Sequence, residues 1–557
     1  MTRFFLTLSI FTFLILASCD KDKSSQGNSA PITLVATDSI FFKNALVLDT
    51  ARKNEVVKKL INFYQKNGAQ TKWLLSGGAT NLFHSLIETI GNAEDYGLYS
   101  ETYNYNYLKS QSKAVYAADK IDFKELCNLD RDATASFLLF VIHLNKGRIL
   151  EPGYLEKPWF KGDQEGIETL KLLSVDHQET ITHIIDTLQP NFPFYVQLRD
   201  QLRKLNHSEP RDIVPFQFDD LENFEVGFKD KRVKYLRNNL NQWGVEADMA
   251  TNPLVVDTAL VENIKDFQAS FDMKADGLPG ESTLRFLNMQ DDDLKSLIAL
   301  NLERMRWIPE GIGENLIMVN IPEYKLRVYR TNEVTAKVKV IVGEEMKPTP
   351  VFSDTLSHIV FNPTWTVPQS IIWEEMVPKL RKNPGHYEED FKIYQDNVEV
   401  DPYMIDWLDM ELKKKYYFRF VQQPGPSNSL GEVKFMFPNN LSIYMHDTPA
   451  DVLFDRNNRD LSHGCIRLNK PFKFANYLLS DNENWSKEKM YDILQKEEPE
   501  KIYLDQRYHV QIAYLTAWIT AEGRLKLFDD IYGFDKVQLE KLNELKQLAK
   551  KTEKDYS

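Results

Sequence analysis

At 557 residues, and roughly 150 residues per domain, the chain should hold about three or four compact units. Hydrophobic residues make up 43% and charged residues 27%, with 33 Phe, 25 Tyr and 9 Trp, which excludes a wholly disordered chain and a multi-span membrane protein. The 68 basic and 81 acidic residues leave a net charge of −13, so a general polyanion binder is excluded and no nucleic-acid partner is expected. The cysteines Cys19, Cys127 and Cys465 are too few for a disulfide framework, and each needs its own explanation.

The chain opens with Arg3, an apolar run from Phe4 to Leu16, and the charged stretch Asp20-Lys21-Asp22-Lys23, the order of a signal peptide. The run is shorter than the about 20 apolar residues of a spanning helix. Leu16-Ala17-Ser18-Cys19 resembles a bacterial lipobox. That resemblance implies a leader over 1–18, lipidation at Cys19, and a protein of the periplasm or cell envelope anchored to a membrane through the lipid. Ordinary secretion or a retained anchor is the alternative. Residues 19–44, with Ser24-Ser25-Gln26-Gly27-Asn28-Ser29, read as a flexible tether.

Residues 45–224 show helical periodicity, as in Val56-Val57-Lys58-Lys59-Leu60-Ile61-Asn62-Phe63-Tyr64 and in Ala133 to Leu144, which Gly147, Pro152 and Gly153 close. This is a helical scaffold with no catalytic constellation. Cys127 has no histidine near it in sequence and reads as a small buried hydrophobe. Residues 225–290 predict a three-helix module, with Val233, Leu236 and Leu240 on one stripe and Val261, Ile264, Phe267 and Phe271 on another. Phe267-Gln268, Asp276-Gly277 and Gly280-Glu281-Ser282-Thr283-Leu284 resemble the common peptidoglycan-binding module of wall hydrolases. A purely structural three-helix domain is the alternative, since the stripes by themselves only build a core.

Short β-branched runs then appear at Leu316–Ile321 and Lys337–Val342, and residues 313–480 read as a β-rich domain. Residues 371–417 interrupt it as a charged, helical, capping insertion. Residues 481–557 read as a helical extension ending in the stripe Leu539, Leu542, Leu545 and Leu548. The expected fold class is therefore multidomain α+β.

The densest chemistry is Tyr444-Met445-His446-Asp447-Thr448-Pro449 followed by Ser462-His463-Gly464-Cys465-Ile466-Arg467-Leu468. A cysteine nucleophile needs a thiolate, and a neighbouring imidazole both takes its proton and returns one to a leaving amine. His446, arriving on a different strand, is the candidate base, and His463 the candidate lining residue. Tyr444, two residues before His446, shares its strand face. Gly464 leaves room for a substrate and frees backbone N–H groups, that of Cys465 included, for an oxyanion. Arg467 suits a two-point contact to a carboxylate. Asp447, by its carboxylate or its backbone carbonyl, is placed to set the imidazole tautomer. A zinc site from His446, His463 and Cys465 lacks a clustered fourth ligand, so no metal and no cofactor is expected.

Ser462-His463-Gly464-Cys465 with the upstream His446 resembles the signature of the L,D-transpeptidases, which carry a YkuD-type catalytic domain. Gln423 to Gly431, Val433-Lys434-Phe435, His446-Asp447-Thr448-Pro449 and Asn301-Leu302-Glu303-Arg304-Met305-Arg306-Trp307 resemble the large multidomain YcbB-like branch. The order of parts is the same as in that branch, although many members have Asn where Arg467 stands. The resemblance implies a cysteine acyltransferase acting on peptidoglycan stem peptides. Its nucleophile would be Cys465, its base His446, and its substrate contacts Tyr444, His463 and Arg467. It also implies acylation by carbapenem-type inhibitors. With a stem amine as acceptor the product is a 3→3 cross-link with release of the terminal D-Ala. With water the enzyme is an L,D-carboxypeptidase, and with a protein amine a wall-anchoring enzyme. A non-enzymatic peptidoglycan-binding scaffold lipoprotein is the rival from another class.

Overall fold

The computed structural model describes residues 50–66, 70–149, 181–247, 252–308, 315–409, 411–496, 498–520 and 522–554. The expected leader, Cys19 and the tether lie outside the described residues. The chain is multidomain α+β, and its described parts fall into two compact units.

The first unit takes the described parts of 50–149 and 181–191 and the end of the chain from Leu539. Its helices Thr50–Lys66, Asn81–Gly91, Tyr105–Ala117 and Ile181–Leu188 surround the long helix Phe123–Lys146. That helix is buried almost throughout from Leu126 to Asn145, because its apolar residues run round the whole circumference rather than along one stripe. Asp122 caps its start by accepting from the Lys124 amide, and Gly147 ends it at φ 77°. Asp130 is buried within it and accepts from the backbone amides of Lys72, Trp73 and Leu74 and from the Tyr64 hydroxyl, so one carboxylate fixes a whole turn. Cys127 is half-buried against this core, and burial pushes its thiol up to about 11.

The second unit runs from Phe192 to Gln538. Helices Arg232–Gln242, Thr258–Ser270 and Glu281–Leu287 occupy the stretch expected to be a three-helix module. Gln268 accepts from the Gly277 amide at 2.9 Å and donates to Asp276 and Thr283, which pins the turn where Gly277 stands at φ 78°. The module is not a separate globule. Val233, Leu236, Ile264 and Phe267 share one core with Phe194 and Leu198 of helix Pro193–His207 and with Ile298 and Leu302 of helix Asp291–Met305. Helix Pro193–His207, expected within the scaffold, falls in the second unit and packs chiefly on helix Asp291–Met305 and on strand Ala517–Ile519, with Phe194 stacked on Trp518 at 4.7 Å.

The β-rich part is a closed sheet. Its strands, in chain order, are β1 (Asn315–Asn320), β2 (Lys325–Arg330), β3 (Glu333–Gly343), β4 (Phe352–Phe361), β5 (Val433–Met436), β6 (Met445–His446), β7 (Asp460–Ser462), β8 (Ile466–Leu468) and β9 (Glu500–Ala513). They pair in the order β7-β3-β8-β6-β5-β4-β9-β1-β2, and β2 also pairs with β3, which closes the ring with β7 outside it.

Two expectations are corrected here. The extension after 480 is not wholly helical, because β9 lies at the centre of the sheet, antiparallel to β4 and parallel to β1. From Glu500 to Tyr508 its residues alternate in exposure, the period-2 pattern of a strand, and a hairpin of Ala517–Ile519 with Leu525–Leu527 comes after it. The insertion is also only partly helical. Its strands Phe391–Gln395 and Val398–Glu399 join Trp365–Thr366 and Phe418–Gln422, which flank it, in a separate four-stranded sheet. Asp396 and Asn397 both take positive φ, 49° and 71°, the conformation of a tight two-residue hairpin turn. Among the described residues from Trp407 to Tyr416, helix is confined to Leu412–Lys415.

Candidate active site

Strand register assembles the site. On β6, His446 lies opposite Lys434 of β5 on one side and opposite Arg467 of β8 on the other. Residues paired directly across a sheet share a face, and residues two apart in one strand do as well. One face therefore collects Lys434, His446 and Arg467 in one row and Tyr444 and Cys465 in the next. The turn into β6 is built by Asn439, whose side chain accepts from the amides of Leu441 and Ile443 and donates to the Ile443 carbonyl. This leaves Ser442 at φ 58° with its carbonyl 3.8 Å from the Cys465 Sγ.

Gly464 sits at φ 109°, a conformation that residues with a Cβ avoid. It breaks the extended path between β7 and β8, so Cys465 is half-buried on the face shared with His446 while His463 is exposed. The loop is tied by short bonds: Ser462 Oγ donates to the Cys465 carbonyl at 2.6 Å, and Thr349 Oγ1 donates to the Gly464 carbonyl at 2.8 Å. Of the amides offered for an oxyanion, that of Gly464 is engaged by Ser462 Oγ at 3.2 Å. The Cys465 amide has no such bond among the described residues.

The His446 Nδ1 is 2.5 Å from the Asp447 backbone carbonyl. Nδ1 then carries the proton it donates, and Nε2 keeps its lone pair for the site. It is thus the main chain of Asp447 that sets the tautomer. Its carboxylate accepts instead from the amides of Glu432 and Thr448, and burial pushes that carboxyl up to about 6. Gly431, at φ 58°, lies so close that a Cβ there would collide with this carboxylate.

Burial pushes the His446 imidazole down to about 3, and the charges of Arg467 and Lys434 act in the same direction against the bond to Asp447. Burial also raises the Cys465 thiol above its ordinary value. Opposing this, the Tyr444 amide and hydroxyl reach the sulfur, and Lys434 and Arg467 favour its anion. The resting pair is a thiol beside a neutral imidazole. The described hydrogen bonds include none between Sγ and the imidazole. Arg467 is largely buried and its Nε has no partner among the described residues, so donor capacity is left for a ligand.

His463 does not join this face directly. Its Nε2 lies 2.5 Å from Oε1 of Glu375, a residue of the insertion that also bonds Lys347 Nζ at 3.1 Å. Glu375 stands in a π turn, Ile372–Met376, where Pro378 removes a helical donor and widens the coil. These partners had weak sequence signals. Glu375, Trp365 beside the Tyr444 hydroxyl, and Lys434 come close only through chain reversals and register. The Asn301 to Trp307 motif has a packing role: Arg304 pairs with Asp535 at 2.6 Å, and the Asn301 side chain accepts from the Thr516 amide at 2.8 Å. No group of three or more His, Cys, Asp or Glu is placed to hold a metal among the described residues.

Comparison with known families places this site in a class. Residues 314–490 match the family of the L,D-transpeptidase catalytic domain, YkuD, so the chain carries a catalytic domain of that type. Residues 58–202 match a family described as "Scaffold domain", and residues 229–287 one described as "Putative peptidoglycan binding domain". Among curated relatives, a protein of Haemophilus influenzae (strain ATCC 51907 / DSM 11121 / KW20 / Rd) described as "Putative L,D-transpeptidase" is 36% identical over 258 residues, 46% of this chain. The match spans 51% of that relative's length, about half of it. A solved L,D-transpeptidase from Mycobacterium smegmatis is 16% identical and covers 36% of this chain and 58% of its own, with a TM-score of 0.18, too loose a superposition to inform the fold.

Proposed function

We propose that the protein is a peptidoglycan L,D-transpeptidase that forms 3→3 cross-links by acyl transfer through Cys465. The supporting observation is the single sheet face on which a thiol, an imidazole with its Nε2 free, and a buried arginine converge from neighbouring strands. In the first step the thiol proton passes to His446 Nε2 as sulfur attacks the carbonyl of the third residue of a donor tetrapeptide stem. The oxyanion faces the Cys465 amide and the Tyr444 hydroxyl. The C–N bond to the terminal D-Ala breaks, its amine takes the proton from His446, and a thioester remains. In the second step His446 removes a proton from the side-chain amine of an acceptor stem, which attacks the thioester, and the proton returns to sulfur. Arg467 holds a stem carboxylate in this scheme.

The insertion covers the thioester and keeps water from it, and its contact through Glu375 to His463 supports that role. The module within 225–290 delivers the enzyme to the wall, which accords with the family matched there. A periplasmic or envelope location held by a lipid on Cys19 completes the reading. No helix among the described residues is long and apolar enough to cross a membrane. Intact-mass measurement after incubation with a carbapenem tests the nucleophile. One stable adduct is expected on the native chain and none on Cys465→Ala, while an adduct on both, or on neither, contradicts the assignment.

A further inference from the structure

The site face carries a cation for which neither step of the acyl transfer has a use. Lys434 stands opposite His446, and its Nζ lies 3.7 Å from the centroid of the Tyr444 ring. That ring packs edge-on against His446 with centroids 5.6 Å apart. The lysine is largely buried, and among the described residues its ammonium has neither a hydrogen bond nor an ion pair. An ammonium taken from water without a counter-charge is unfavourable unless an anion forms beside it.

The neighbours on each side define what that anion is. On β6 are the neutral imidazole of His446 and the Tyr444 phenol, whose ionisation burial opposes. On β8 and the loop before it are Arg467 and Cys465. On β4 lies His358, whose protonation burial and the charges of Lys501 and Lys434 disfavour. Only Cys465 among these becomes an anion during the reaction.

We infer that Lys434 is a positioning residue for the nucleophile: its ammonium packs the Tyr444 ring between itself and His446, keeps the Tyr444 hydroxyl on Sγ, and provides the nearby positive charge that favours the thiolate. The inference takes Cys465 as the nucleophile, as in the proposed function, but its test does not depend on acyl transfer. Iodoacetamide, small and uncharged, alkylates the thiolate in proportion to its population.

The alkylation rate of Cys465 is measured against pH in the full chain for wild type, Lys434→Met, Lys434→Gln and Lys434→Arg, with circular dichroism to establish folding. In the folded neutral variants the rate at neutral pH should fall about tenfold and its rise move to higher pH, as loss of an adjacent opposite charge requires. Lys434→Arg, which keeps the charge, should recover most of the rate. A wild-type pH profile in either folded neutral variant overturns the inference. So does a variant that weakens carbapenem binding but alkylates normally, because the lysine would then be a carboxylate anchor. If 3→3 products fail to appear while the alkylation profile still shifts, the proposed function fails and the role of Lys434 stands.

Discussion

An imidazole buried beside Lys434 and Arg467 stays neutral through the range in which free histidine titrates. His446 is therefore neutral well below pH 7, and carbapenem acylation followed against pH should show no inflection near the ordinary imidazole value. The rate should climb toward alkaline pH as the thiol ionises, with no separate acid limb from His446 above about 3. His446→Gln should slow acylation by about 10²–10⁴-fold. Stability is linked to pH in the same direction. A folded-state value depressed below the unfolded one means that the native state binds fewer protons between about 6.5 and about 3, so stability is lost as pH falls through that window. Urea unfolding of His446→Gln should lose that part of the acid limb, and an acylation limb centred near 6.5 would contradict the account. At this scale much was legible: Tyr444 with His446, and Cys465 with Arg467, are spaced two apart and share strand faces. Which atom of Asp447 orients the ring was not legible, because it depends on how the chain turns after β6. Lys434 carried no signal of its own beyond the family resemblance, since its place beside His446 is set by register.

At the scale of elements, the insertion meets the Ser462 to Cys465 segment through Glu375, whose carboxyl His463 and Lys347 hold below its ordinary value against burial. The group is charged at neutral pH, but the pair is partly exposed, so its worth is at most about 1 kcal/mol. Glu375→Gln should therefore raise the ratio of hydrolysed to transferred product by no more than about fivefold, and removal of residues 371–417 by much more. An unchanged product ratio in both would sink the covering role. Within 371–417 the strands Phe391–Gln395 and Val398–Glu399 were not read from the sequence because they are only five and two residues long, and the Asp396-Asn397 turn was the available signal. β9 was missed because Glu500 to Arg507 is amphipathic and highly charged, and burial at its far end comes only from closing the ring between β4 and β1.

For the whole molecule, some of the segments that carry the family resemblance brace the fold. Asn301 and Arg304 tie helix Asp291–Met305 to Thr516 and Asp535, and Asn428 bonds the Pro363 and Gln423 carbonyls to shape the approach to β5. The order of parts was readable from shifts in periodicity. The sharing of one core between the 225–290 module and the helices flanking it was not, because an apolar stripe does not name its partner. The central claim is that this assembly links stems through Cys465. It is tested most directly by muropeptide profiling of sacculi incubated with the purified full chain, wild type against Cys465→Ala. The account predicts 3→3 linked dimers with wild type and none with Cys465→Ala. Neither 3→3 dimers nor trimmed stems with wild type, or equal amounts with the variant, would contradict it.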